Sequence, residues 1–360
     1  MGRKVRTTDK RNIVIVCEGS DTEPSYLEDL RKKAAHRFDD IRIVPFGNET
    51  KLSVKRTHSN SVQIRNGRKR RKLISDSSAS SGNFYWVKEE VDDALYDKFK
   101  AQPTRYVREA QLFMEDGYVE GWAVYDHDKF PNHKEARILA DSVPNLNIAF
   151  SSISFEEWML LHFERNTKPF DRSCCKENQK ETGCGLAETE PDKNCHGERC
   201  LIGYLREKQY IPDYSKSKKD LFSSITMPRI NIARVNAAWI KTISDDKTIY
   251  NRNPYCDFDA LLERLLGLED RYFWIGDASE MVIDRCTIAI TREKQTSSIK
   301  FTNTGKRTLI ANFTELDGLA NPLAKDKRIA LRPEESTNIQ FGDGLYLCLG
   351  VGLNKYIITI

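Results

Sequence analysis

A short run of β-branched residues, Ile13-Val14-Ile15-Val16, set between Asn12 and Cys17, is apolar on both alternating faces. A strand of that composition has to be covered on both sides, which places it inside a parallel sheet. The run stops at Glu18-Gly19, and helix-start chemistry follows at once. Asp21 or Thr22 can cap, Pro24 suits the first turn, and Tyr26, Leu27 and Leu30 form a buried stripe. A strand passing directly into a helix sets Glu18 at the carboxyl end of a central strand, where open α/β sheets bind ligands.

The same alternation repeats downstream. Asp40 to Phe46 predicts a second strand, and Val87 to Lys100 an amphipathic helix with apolar residues at Val87, Val91, Leu95 and Phe99. Arg105 to Glu115 continues helical, and Glu120 to Tyr125 is a strand ending on Asp126-His127-Asp128. Lys134 to Asp141 predicts a helix, and Asn145 to Phe150 a fourth strand ending in Ser151 and Ser152. Ser154 can cap the helix Phe155 to Phe163, which is apolar nearly all round. Four such alternations predict an α/β fold with a mostly parallel sheet flanked by helices, its acidic strand ends on one edge. Helical patterns return from Lys216 to Ile243, and Leu261 to Leu266 is closed by Gly267. From Met281 the period becomes two, with short runs at Thr287, Ser298, Thr308, Arg328, Asn338, Leu345 and Tyr356. They predict a C-terminal all-β, sandwich-like domain.

At 360 residues the chain is long enough for two domains, assigned to 1–268 and 275–360. Two polar segments interrupt the first. Residues 47–82 lose the apolar pattern and carry Arg65, Arg68, Lys69, Arg70, Arg71 and Lys72, followed by a serine-rich stretch. This reads as a solvated insertion or as a basic arm that holds nucleic-acid phosphates, and both hold if it orders only on nucleic acid. Residues 169–203 hold Cys174, Cys175, Cys184, Cys195, His196 and Cys200. They offer a structural Zn²⁺ site built from Cys175, Cys184, Cys195 and Cys200, or else a loop of free thiols. No run approaches membrane-spanning length and no apolar signal core follows Met1, so a cytoplasmic protein with no membrane partner is expected.

Asp126 and Asp128, on alternate residues, project to one side if extended. Two like charges about 4 Å apart repel by roughly 4 kcal/mol at an intermediate dielectric, and Glu18 adds to that. The group calls for raised carboxyl pKa values or a cation, unless it is simply a solvated acidic edge. Oxygen-only ligands suit one or two Mg²⁺ or Mn²⁺ ions, whose natural reactions are phosphoryl transfer and phosphodiester cleavage.

Val16-Cys17-Glu18-Gly19 with Thr22-Glu23-Pro24 and Tyr26, then Tyr125-Asp126-His127-Asp128, then Phe155 to Phe163, and finally Asn253-Pro254, resemble the RloB-like family over roughly Asn12 to Leu268. The resemblance implies a Toprim-type fold. It implies that Glu18 is a metal ligand or general acid/base and that Asp126 and Asp128 are metal ligands. Glu23 then serves a second metal or a water. Glu156 is a further ligand or only a cap, and His162 a proton shuttle or a core histidine. It also implies a Mg²⁺/Mn²⁺-dependent nuclease acting on DNA or RNA, tRNA included, as effector of a bacterial anti-phage system. An ABC/SMC-type ATPase is the implied partner, and oligomerisation is left open. The basic insertion, the cysteine segment and the β domain lie outside the family pattern. A non-catalytic nucleic-acid-binding or sensor subunit is the alternative, and nucleotide synthesis of the primase kind a third.

Overall fold

The computed structural model describes residues 11–19, 21–45, 103–127, 132–173, 200–216, 218–243, 247–283, 285–293, 297–323, 325–342 and 344–360, with the backbone of three strands at 53–56, 62–66 and 69–71. The helix expected over Val87 to Lys100 lies outside them. The chain divides into two compact units, neither continuous in sequence.

The first unit combines 1–158, 168–225 and 247–267. Its sheet is built from β1 (Asn12–Cys17), β2 (Asp40–Pro45), β6 (Glu120–Asp126), β7 (Leu146–Ser152) and β8 (Tyr255–Cys256), in the order β2-β1-β6-β7-β8. The first four run parallel, and β8 is antiparallel to β7. Between the parallel strands come α1 (Thr22–Ala34), α2 (Pro103–Glu115) and α3 (His133–Asp141); α4 (Glu156–Leu161), α5 (Leu201–Glu207) and, after β8, α7 (Phe258–Leu266) follow. Val14 and Val16 of β1 and Ala123 and Tyr125 of β6 share one apolar cluster with Tyr106, Val107, Ala110 and Phe113 of α2 and Ala136 and Ala140 of α3. Alternation sends Trp122, Val124 and Asp126 to the other face, beside α1 and α7. Burial on both faces is what the β-branched run demanded: Ile13 to Cys17 are all fully buried.

Two expectations need revision here. Asp21 stands at the α1 cap position but makes no capping hydrogen bond; the Thr22 hydroxyl is spent elsewhere, as described below. The insertion was expected to lack pattern, yet it contains an antiparallel sheet of β3 (Ser53–Arg56), β4 (Val62–Asn66) and β5 (Lys69–Arg71). Val62 and Ile64 alternate with polar residues, and that period of two was overlooked beside the charges.

The second unit gathers 159–167, 226–246 and 268–360. Its strands form two sheets. One has the order β10 (Glu280–Ile283), β11 (Cys286–Glu293), β12 (Ser298–Asn303), β15 (Ser336–Gln340). The other runs β14 (Lys327–Leu331), β13 (Leu309–Leu316), β16 (Tyr346–Val351), β17 (Asn354–Thr359), β9 (Arg271–Gly276). All pairings are antiparallel except that of β17 with β9. Ile288, Ile299 and Phe301 of the first sheet and Phe313, Leu347 and Leu349 of the second bury into one core. The far side of the second sheet is covered by α6 (Ile230–Ile240), whose Ile232 and Val235 pack with Tyr346, Cys348 and Ile357. Among the described residues no helix is long and apolar enough to cross a membrane.

An acidic cluster at the carboxyl ends of neighbouring strands

β1 and β6 are adjacent and parallel, so both carboxyl ends open on one edge of the sheet. β2 lies on one side of β1 and β6 on the other, which makes this a point where the chain's direction of crossover reverses. Glu18 leaves β1 by donating its backbone N–H to the Val124 carbonyl at 2.9 Å. Its Oε2 then accepts the backbone N–H of Asp126 at 2.9 Å. Two acids separated by 108 residues are thereby brought into register.

Glu23, in the first turn of α1, is only 7% exposed. Its carboxylate lies so close to Gly19 that an ideal Cβ there would stand 2.4 Å from Glu23 Oε2. Tyr26, one turn on, fixes the helix. Its ring meets Phe155, Phe222 and Phe258 edge to face at 5.3, 5.4 and 5.8 Å, and its hydroxyl accepts Trp158 Nε1–H at 3.0 Å. These contacts tie α1 to the start of α4, where Glu156 is 1% exposed. Three hydroxyls converge on Glu156: Ser154 at 2.6 Å and Ser173 at 2.9 Å on Oε2, and Tyr214 at 2.9 Å on Oε1.

Electrostatics marks the group as one site. Burial, then the charges of Glu23, Glu18 and Glu156, push the Asp126 carboxyl well above the usual carboxylate range, while Lys216 pulls the other way. Burial and the Glu156 charge push Glu23 up to about 7, against its own backbone N–H and Lys216. Burial and Glu156 also raise the Tyr214 phenol. Like charges drawn together out of water resist ionising together, and either protons or a cation must compensate them.

The fold thus gathers Glu18, Glu23, Asp126 and Glu156. Asp128 lies outside the described residues, and among the described residues no three His, Cys, Asp or Glu side chains are arranged as a metal-holding group. His162 follows α4, is 1% exposed, and belongs to the second unit. Of the basic candidates, Arg68 and Lys72 lie outside the described residues, Arg65 falls on β4, and Lys69, Arg70 and Arg71 form β5. Cys175, Cys184 and Cys195 also lie outside; Cys200 is a buried cysteine just before α5.

Sequence reasoning missed Tyr214, Ser173 and Lys216. Tyr214 and Ser173 sit in stretches without helical or strand period, and Lys216 opens a run read as helical, so nothing local marked any of them as part of the site. It also missed the opposite face of the same strand ends. There Asp257 accepts the Phe150 backbone N–H and pairs with Arg137 at 3.2 Å. The His127 and His133 rings lie parallel there, 5.3 Å apart. Tyr125 Oη and His127 Nδ1 are buried without a hydrogen-bond partner among the described residues.

A model of the RloB-like protein family matches residues 13–265, the span from β1 to the end of α7. The chain belongs to the RloB-like family. The matched span takes in every member of the acidic cluster of this RloB-like chain and stops short of the C-terminal strands. No curated protein and no solved structure gives a significant match to it.

Proposed function

We propose that this RloB-like protein is a divalent-metal-dependent nuclease that hydrolyses phosphodiester bonds of DNA or RNA, tRNA among its candidate substrates. We assign its first unit to the Toprim type, and we infer a role as effector of a bacterial anti-phage system with an ABC/SMC-type ATPase partner. The single observation that carries the chemistry is the convergence of Glu18 and Asp126 at the ends of adjacent parallel strands, joined through the Asp126 N–H at 2.9 Å.

The donor set fits a hard cation. All its candidate atoms are carboxylate oxygens, and burial together with the neighbouring acids raises the proton affinity of Asp126 and Glu23, which a cation would offset. Glu18 and Asp126 would hold the ion, with Asp128 and Glu156 as further ligands and Glu23 at a second ion or a water. When bound, Mg²⁺ or Mn²⁺ supplies charge compensation, grips a phosphate oxygen and acidifies the attacking water. The protein's own part is to fix these acids: Glu18 through the β6 backbone, and Glu156 through its three hydroxyls. Glu23, with a pKa near neutrality, can take or return a proton at the carboxylate facing Gly19.

The test is incubation of purified protein with a panel of DNA and RNA, with and without Mn²⁺ or Mg²⁺. Cleavage should require the metal. Glu18→Ala and Asp126→Ala should each lower it at least a hundredfold while circular dichroism and melting show a folded chain. Metal-independent cleavage, or cleavage unaffected by both changes, contradicts the proposal. Salt-sensitive binding that survives both changes, without cleavage, would favour a non-catalytic nucleic-acid-binding or sensor subunit.

A further inference from the structure

The acids come from β1, α1, β6 and α4, and a stretch with neither helix nor strand, 211–216, is bonded to two of these elements. This stretch is anchored in the site at two points. Tyr214, fully buried, donates its hydroxyl to Glu156 Oε1 at 2.9 Å. Two residues later the Lys216 carbonyl accepts the Thr22 hydroxyl at 3.0 Å, beside Glu23 at the head of α1. A third bond, from Arg206 Nε to the Tyr214 carbonyl at 2.9 Å, holds the stretch from its other side.

Between these anchors the burial changes abruptly. Tyr214 is sealed inside, whereas Lys216 faces solvent and acts as a positive charge on both Glu23 and Asp126. A lysine that offsets buried acids while staying in water is placed where an incoming anion can also reach it. A phosphodiester, however, approaches an acidic cluster here and is repelled by the negative charge it retains. A solvent-facing ammonium whose charge acts on these acids offsets that repulsion, and lysine serves as a compact point charge for phosphate.

Resting on the nuclease reading above, we propose that Lys216 binds the substrate phosphate at this site, and that Tyr214 and Thr22 are the positioning residues that set it there. Lys216 would donate to a non-bridging phosphate oxygen; no bond is made or broken in this step.

The experiment measures oligonucleotide binding as a function of salt for the full chain, as wild type, Lys216→Ala, Lys216→Arg and Tyr214→Phe, using a single strand and a duplex. Lys216→Ala should bind about tenfold more weakly. Its plot of log affinity against log salt should lose roughly 0.7 of slope on a single strand or about 0.9 on a duplex, the signature of one phosphate contact. Lys216→Arg should retain both. Tyr214→Phe should weaken binding while its slope stays near that of wild type. Thermal melts of each variant, taken beside the binding series, show that the chain is folded where the slope is read. Where metal-supported cleavage is seen, Lys216→Ala should raise KM more than it lowers kcat. An unchanged slope and affinity in Lys216→Ala overturns the proposal. Wild-type binding without cleavage under any metal would sink the nuclease reading alone, leaving Lys216 to be judged by its slope; no wild-type binding at all would end both.

Discussion

Gly19 is held to glycine by one neighbour. The atom a Cβ would strike is Glu23 Oε2, the far end of a flexible side chain, so Gly19→Ala displaces the carboxylate and spares the backbone. The expected outcome is a loss of cleavage of tenfold or more with a stability change under about 1 kcal/mol, checked by kinetics beside a urea melt. Glu23 itself predicts a pH dependence. Its carboxyl is raised from an ordinary 4.5 to about 7, so the folded chain binds a proton that the unfolded chain has already released. Stability is therefore fully present below about 4.5 and lost as pH rises through 7, by at most on the order of 3 kcal/mol. Glu23→Gln should flatten that fall in a metal-free melting series. An equal fall in the variant would assign the effect to other groups, Asp126 foremost. The glutamate was legible from sequence as an acid in a first helical turn. Its shifted proton affinity was not, because Glu156 stands 133 residues away in the chain and reaches it only through the fold.

At the scale of elements, α7 shows how a local stop signal and a tertiary contact reinforce each other. Gly267 adopts φ +68° at the helix end, and a Cβ there would lie 1.8 Å from the Arg37 guanidinium carbon. Gly267→Ala should destabilise by about 1–2 kcal/mol, the left-handed cap adding to displacement of Arg37; a neutral result in denaturant melts would contradict it. Asp257, just before the same helix, accepts the Phe150 N–H and pairs with Arg137. Asp257→Ala should cost about 2–4 kcal/mol by leaving the buried Phe150 N–H and the half-buried Arg137 without it, measurable as a drop in midpoint. The α7 helix and its glycine were readable in advance, since period and cap are local. So were β1, β6, β7 and most of the C-terminal strands. β9 and β10 were not, because Arg271 to Gly276 is amphipathic on neither period and becomes a strand only by joining the end of the chain in parallel through β17. The run from Lys216 looked helical, and it is so from Leu221, first as a π-helical turn at Leu221–Thr226 and a 3-10 turn at Met227–Arg229, with α6 proper starting at Ile230. Asp29 accepts both the backbone N–H and the hydroxyl of Ser223 within the π-helical turn, a contact no local pattern announces.

For the molecule as a whole, the second unit recruits a helix that precedes it by some way in sequence. α6 covers Tyr346, Cys348 and Ile357, and Arg165 lies 4.6 Å over the Trp274 ring and 5.8 Å over that of Trp239. A fragment beginning at 269 lacks both 159–167 and 226–246 and would expose that apolar sheet face. It should aggregate or melt far below the intact chain. A soluble, cooperatively folded monomer from 269–360, shown by light scattering and thermal melting, would contradict this. The proposed binding of nucleic acid by the basic segment belongs to the same scale. Neutralising Arg68 to Lys72 should weaken nucleic-acid binding uniformly across sequences and reduce its salt dependence, whereas the acidic substitutions should leave binding salt-sensitive.

By itself the sequence determined the parallel strands, the helix that follows each and the acids standing at the ends of two of them. Strand character comes from β-branched runs and helix starts from proline and polar caps, and both act over a few neighbouring residues. Tertiary structure alone decided which acids meet, that three hydroxyls hold Glu156, and that Tyr214 and the Lys216 carbonyl are bonded to Glu156 and Thr22. Those contacts join residues 58 and 194 positions apart, and a hydrogen bond across such a separation leaves no periodic trace in the chain that makes it.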